Sequence, residues 1–204
     1  MSTKKEHWEK VFSTKQETEV SWYQQKPEIS IRFFTEPQIA KDAKIIDIGG
    51  GDSYLIDNLL DLGYHNLFLL DISEHAINRI KKRLGARAEE VTFIVSDVLD
   101  FQPETCFDVW HDRASFHFLT NEDEILKYKN IVLHNLCENG RMFLGTFSDN
   151  GPLKCSGLPI TQYSVEKMEA VFGADFELEN CLTEDHQTPF NTLQNFNFCH
   201  YKKR

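Results

Sequence analysis

The run Ile45-Ile46-Asp47-Ile48-Gly49-Gly50-Gly51-Asp52-Ser53 constrains this chain more than any other stretch. Apolar, β-branched residues pass directly into three glycines, and beyond Tyr54 the residues Leu55, Ile56, Leu59 and Leu60 recur at helical spacing until Gly63. A buried strand, a tight turn and an amphipathic helix in that order open a βα unit. Glycines at such a turn let the backbone approach a ligand with no Cβ in the way, and the N–H groups opening the helix add positive potential. A nucleotide-type ligand is expected there.

The same alternation continues down the chain. A second strand over 66–70 ends at Asp71, and Ser73 is placed as the N-cap of a helix carrying Ile77, Ile80 and Leu84 before Gly85. A third strand over 91–95 closes on Ser96-Asp97, and a fourth covers 107–111. A helix over 121–136, striped with Ile125, Tyr128, Ile131 and Val132, leads through an Asn139-Gly140 turn into a fifth strand over 141–147. Strands alternating with helices predict an α/β architecture, a doubly wound and mostly parallel sheet. Residues 148–163 hold Gly151, Pro152, Gly157 and Pro159 without periodicity and read as one long functional loop. A helix over 164–172 and strands near 176–183 and 193–201 bring the sheet to seven strands. The last connection is too short for a crossover helix, so the final strand is expected to be antiparallel. The first 43 residues carry Trp8, Phe12, Trp22, Tyr23, Ile29, Ile31, Phe33 and Phe34, too many large apolar groups for a disordered tail. They are expected to form a helical cap packed across the top of the sheet.

Composition excludes several function classes. With 41% hydrophobic and 26% charged residues in 204, the chain suits one globular domain. Lys and Arg number 22 against 32 Asp and Glu, a formal net charge of −10, so phosphate-backbone contacts are disfavoured and no nucleic-acid partner is expected. No apolar run approaches the ~18 residues of a bilayer span, and the N-terminus lacks an apolar signal core. Neither membrane insertion nor secretion is expected, and the cytoplasm is the expected compartment. Five cysteines at wide spacings, Cys106, Cys137, Cys155, Cys181 and Cys199, suit reduced thiols better than disulfides or a zinc site. The histidines show no ligand-like spacing, and no metal is assigned.

Asp71 lies 20 positions beyond Gly51 at the end of the second strand, where a carboxylate can accept both ribose hydroxyls. A pyrophosphate fingerprint would need a glycine at position 54, which is Tyr54, so NAD is less well suited than a ligand without a diphosphate. Asp52 beside the turn favours an ammonium or sulfonium over phosphates. An NAD(P)-linked oxidoreductase, or a nucleotide-binding module without chemistry, is the alternative of another class.

Three features together, Asp47-x-Gly49-x-Gly51, Asp71 ending the second strand and Ser96-Asp97-Val98 after the third, resemble the class I S-adenosylmethionine-dependent methyltransferases. The resemblance covers residues 40–200. Trp8-Glu9-Lys10-Val11-Phe12, Val20-Ser21-Trp22-Tyr23 and the stretch from Trp110 to Leu119 are similar to a narrower group of small bacterial-type methyltransferases of mostly unassigned substrate. It implies a Rossmann-like methyltransferase fold in one domain, residues 1–204: an N-terminal cap (1–43), a cofactor-binding half (44–147), and an acceptor loop with late strands (148–204). Gly49 and Gly51 would approach the methionine part of S-adenosylmethionine, Asp71 would hold the ribose, Ile72 and Val98 would flank adenine, and Asp97 would accept from its amino group. Asp47 and His111 complete the expected cofactor set, with Trp22 and Tyr23, beside Trp8, as its aromatic wall.

At the end of the fourth strand, Asp112, Arg113 and His117 are the candidate catalytic residues. Arg113 could hold a carboxylate, of the cofactor or of Asp112, as a two-pronged donor, and His117 could remove the acceptor's proton. The expected function is methyl transfer to a small-molecule acceptor. Asp112-Arg113 is similar to an Asp-Lys step of some protein lysine methyltransferases, which makes a protein lysine the alternative acceptor. The sequence does not set the oligomeric state.

Overall fold

The computed structural model describes residues 3–204. Helix α1 (Lys4–Thr14) opens on a capping box: the Glu6 amide donates to Thr3 Oγ1 at 3.2 Å, and the Thr3 amide donates to the Glu6 carboxylate at 2.9 Å. A second helix, α2 (Glu28–Thr35), buries Ile31, Phe33 and Phe34. Strand β1 (Ile45–Ile48) follows with all four residues buried, as a parallel strand covered on both faces requires.

Helix α3 (Leu55–Asp61), β2 (Leu67–Asp71), α4 (Glu74–Leu84), β3 (Val91–Val95) and β4 (Phe107–Arg113) then alternate as expected. Ser73 caps α4 by accepting from the Ala76 amide at 3.2 Å, and Gly85 ends it at φ 59. Beyond α5 (Glu122–Asn135) come β5 (Leu136–Phe147), the short β6 (Lys154–Cys155) and β7 (Leu158–Pro159), α6 (Val165–Phe172), β8 (Phe176–Gln187) and β9 (Leu193–Lys203). Among the described residues one seven-stranded sheet has the order β3-β2-β1-β4-β5-β9-β8, and β9 runs antiparallel to both neighbours. Chain order reverses between β1 and β4, so a crevice opens at their carboxyl ends.

One face of the sheet packs α2, α3 and α4 through Phe34, Leu59 and Ile80; the other packs α5 and α6 through Tyr128, Val132, Met168 and Phe172. Of the N-terminal region, α1 and the segment around Trp22 lie over the crevice, where Trp8 and Phe118 meet edge to face at 5.1 Å and Trp8 and Trp22 at 5.8 Å, while α2 packs on the sheet face.

Three local expectations are corrected. The Asn139-Gly140 turn does not separate helix from strand: Leu136 already pairs with Phe107, and Asn139 at φ 60 lies inside β5, opposite a register shift between Phe107 and Val109. Sheet pairing absorbs the turn signal as a bulge. Within 148–163, β6 and β7 form a small antiparallel hairpin across Ser156 (φ 49) and Gly157 (φ 81). The cysteines, expected as thiols, are joined as Cys106–Cys137 and Cys181–Cys199, with Cα atoms 5.1 and 4.0 Å apart; Cys155 alone among the described residues is free and buried. Tertiary pairing makes these partners: Cys181 and Cys199 are register neighbours on β8 and β9. Thiol titration of the denatured, unreduced protein should therefore count about one thiol per chain rather than about five.

No helix among the described residues is long and apolar enough to cross a membrane.

Candidate active site

The glycine turn after β1 has the backbone its sequence demands. Gly49 (φ 61) and Gly51 (φ 55) are left-handed, and the space a side chain would fill is taken. A Cβ on Gly49 would lie 2.6 Å from Ser115 Cβ, and one on Gly51 would lie 3.0 Å from Phe12 Cζ. The Gly51 amide donates to Asp71 Oδ2 at 2.8 Å and the Ser73 amide to Asp71 Oδ1 at 2.7 Å, locking the ends of β1 and β2 together. Burial, reinforced by the charges of Asp47 and Asp52, pushes the Asp71 carboxyl up to about 7 despite these two donors.

Tyr54, which fills the third glycine position, faces outward. Its hydroxyl donates to Glu17 at 2.9 Å and its ring lies 4.0 Å from the Arg83 guanidinium, so it ties the cap to α4. The side chain avoids the helix–strand contact where bulk would have been excluded.

Above the turn, a cleft of about 1190 Å³, counted to its open mouth, runs from the β1–β3 ends towards β5 and β9. Asp47, Gly49, Gly51, Asp71, Ile72, Asp97 and Val98 line one part of it, and Trp22, His111 and Arg113 another. Thus most of the expected cofactor set is brought together. Asp52, expected beside the turn to favour a cationic ligand, lies outside the lining and pairs with Arg79 at 3.0 Å. Tyr23 also lies outside the lining, its ring edge-on to Tyr54 at 6.1 Å. Asp97 uses Oδ1 to accept from the Leu99 amide at 2.9 Å, which holds the turn after β3.

The three candidate catalytic residues separate. Asp112 is fully buried, accepting from the Ser115 and Phe116 amides at 2.9 and 3.1 Å and from the Tyr128 hydroxyl at 2.6 Å. Burial raises its carboxyl to about 6 in spite of these donors. It shapes the turn after β4, where Ala114 sits at φ 67, and does not reach the cleft. His117 is likewise fully buried and outside the lining, packed on Phe118 and Phe147 at centroid distances of 4.7 Å. Burial drives its pKa down to about 3, so it is neutral and a weak base near neutrality. Neither position supports direct contact with an acceptor. Arg113 does line the cleft: Nη1 lies 3.5 Å from the Trp22 carbonyl, and buried Nη2 has no hydrogen-bond partner among the described residues. Burial pulls its pKa to about 10, with Asp47 opposing the shift.

His111 joins a buried chain that sequence reasoning missed. Its Nδ1 lies 2.7 Å from Asp47 Oδ1, and its Nε2 lies 2.9 Å from Ser30 Oγ on α2. Because a carboxylate only accepts, Nδ1 carries a proton and donates it to Asp47, while Nε2 and the Ser30 hydroxyl share the second hydrogen bond. The imidazole stacks on Phe143 at 4.6 Å. Asp47 Oδ2, buried in the cleft wall, has no partner among the described residues. Nothing local in residues 28–35 marks Ser30; α2 brings it across 81 positions of sequence.

A close-approach backbone turn, an unpartnered carboxylate oxygen and two further acids fit a cationic nucleoside such as S-adenosylmethionine. A methyltransferase domain family matches residues 39–195, three quarters of the chain, and the chain belongs to that family, with the class I fold of S-adenosylmethionine-dependent methyltransferases. It is 31% identical over 124 residues to the eEF1A lysine and N-terminal methyltransferase of Mus musculus, covering 59% of this chain and 17% of that protein. It is also 29% identical over 97 residues to a malonyl-[acyl-carrier protein] O-methyltransferase of Ilyobacter polytropus, covering 44% of this chain and 37% of the other. The chain thus spans less than a fifth of the mouse relative. Among solved structures, the N-methyltransferase NodS of Bradyrhizobium japonicum superposes with a TM-score of 0.73 at 11% identity, covering 97% of this chain and 98% of NodS.

Proposed function

We propose that the protein transfers a methyl group from S-adenosylmethionine to a small-molecule acceptor. The observation that carries this reading is the single cleft in which Gly49–Gly51, Asp71 and Asp97 face one end and an aromatic chamber occupies the other. S-adenosylmethionine, when bound, supplies an electrophilic methyl on a sulfonium. Asp47 Oδ2 is assigned to its ammonium, Asp71 to the ribose, Ile72 and Val98 to the adenine faces and Asp97, through its remaining acceptor capacity, to the adenine amine. Trp8, Trp22 and Phe118 roof the reacting centre and exclude water, and transfer from a sulfonium rewards the positioning this provides. Proton removal from an acidic acceptor is assigned to the Ser30–His111–Asp47 chain rather than to His117.

The curated relatives divide between a protein acceptor and a carrier-bound acyl acceptor, as their names state, so homology does not choose. Two features favour a small molecule. The cap and the 148–163 hairpin both border the cleft, through Trp22 and Cys155, and narrow access for a folded protein. An unpaired guanidinium at the inner end opposes a lysine ammonium.

Calorimetry should detect S-adenosylhomocysteine and give no heat with NAD. With labelled S-adenosylmethionine and a cell extract, label is expected in the small-molecule fraction. A response to NAD alone would overturn the cofactor assignment, and label confined to protein would favour the lysine reading.

A further inference from the structure

We infer that Arg113 is the recognition site for a carboxylate carried by the acceptor. The inference deepens the methyl-transfer reading and rests on the cofactor occupying the glycine-turn end. Arg113 presents a guanidinium whose Nη2 is buried without a hydrogen-bond partner among the described residues and whose Nη1 has one long contact, to the Trp22 carbonyl at 3.5 Å. A buried guanidinium left in this state is costly, and a planar carboxylate matches its two-pronged donor geometry. Asp47, the acid whose charge it feels, is already committed through Oδ1 to His111.

Position separates this site from the methionine end of the cofactor. Arg113 ends β4 opposite Gly145 of β5, and its Cζ lies 6.0 Å from the Phe196 ring of β9. The head group therefore reaches over β5 towards β9, while Asp47 of β1 still acts on its charge. Around it the wall is aromatic, from Trp22, Phe118, Phe147 and Phe196. His186, held below its ordinary pKa by burial and by the Arg113 charge, anchors the cap: Nε2 donates to the Ser21 carbonyl at 2.7 Å and Nδ1 accepts from Gln24 at 3.0 Å. Lys4, the other cation of the lining, is paired with Glu124 at 2.8 Å, so among the described residues the Arg113 guanidinium is the unpaired positive charge facing these apolar walls. One guanidinium balances a carboxylate, whereas the second charge of a phosphate would stand uncompensated beside Asp47. The acceptor class is a small, largely apolar or aromatic carboxylic acid.

Phenylacetate and its neutral isostere phenylacetamide probe the site by calorimetry, in the presence and absence of S-adenosylhomocysteine. The wild type should bind phenylacetate at least tenfold more tightly than the amide. Arg113→Met should abolish that preference and leave S-adenosylhomocysteine affinity within about twofold, which also reports that the variant is folded; Arg113→Lys should retain part of the preference. Equal binding of acid and amide by the wild type would overturn the proposal. So would an Arg113→Met variant that keeps the preference and loses S-adenosylhomocysteine, because the guanidinium would then serve the cofactor's own carboxylate. Failure of the wild type to bind S-adenosylhomocysteine would instead sink the methyl-transfer reading, and the acid–amide comparison would still decide the role of Arg113.

Discussion

Asp71→Asn is expected to weaken S-adenosylhomocysteine binding by about 100-fold or more and to erase its dependence on pH. Each hydrogen bond from a ribose hydroxyl to an ionised carboxylate contributes ~1.5–3 kcal/mol, and two would be lost or neutralised. The cradle suffers too. Oδ1 and Oδ2 accept from Ser73 and Gly51, and an asparagine must turn its NH₂ against one of those amides. The pH behaviour follows from the carboxyl's raised pKa of about 7. If the ligand selects the ionised form, wild-type affinity should rise by about tenfold between pH 6 and pH 8 and then level off. For the ligand-free protein the sign is opposite. A carboxyl raised on folding contributes stability that is present below the unfolded pKa of ~4 and lost as pH rises through about 7. Calorimetric titrations at several pH values check the binding profile, and thermal melts of the ligand-free protein over the same range check its stability. A flat wild-type profile would mean that Asp71 is ionised throughout or does not meet the ligand.

Asp112→Ala should cost ~3 kcal/mol or more of folding stability and lower the melting temperature by ~10 °C. Trp110 Nε1 donates to the Tyr128 hydroxyl at 3.1 Å, Tyr128 donates to Asp112, and Asp112 holds the Ser115 and Phe116 amides, so truncation strands two buried donors and one part-buried donor at once. Asp112→Asn keeps an acceptor for the two amides and lets the Tyr128 oxygen accept from the new NH₂; it should lose less than half as much. Thermal melts of the two variants distinguish this scaffold role from a catalytic one. A catalytic Asp112 would give stable, inactive proteins, whereas the hydrogen-bond chain predicts unstable ones. Because the same turn sets Arg113 and contacts Gly49, residual activity should fall with stability.

Particular elements show how far the sequence could be read. Strand β3 is found over the expected residues, and Ser73, the expected cap of α4, accepts from the Ala76 amide. In such segments hydrophobic period and cap chemistry agree, and both act over a few residues. The Asn139-Gly140 signal misleads because pairing with β4 outweighs a local turn preference. Asp52, expected to favour a cationic ligand beside the turn, is instead paired with Arg79, 27 residues away. His117 carried the right functional group on the right turn, but an aromatic cluster encloses it.

The glycine turn, the two acids at neighbouring strand ends and the βα alternation were determined by sequence alone, because backbone conformation and strand polarity are dictated by residues within a few positions of one another. Charge partnership was not. Which histidine meets a carboxylate, which acid is neutralised, which cysteines join and which arginine is left unpaired are set by contacts spanning from 18 to more than 80 residues of chain. Such contacts depend on how the cap and the late strands close over the sheet, and only the tertiary structure places Ser30 against His111 and leaves the Arg113 guanidinium facing an aromatic chamber.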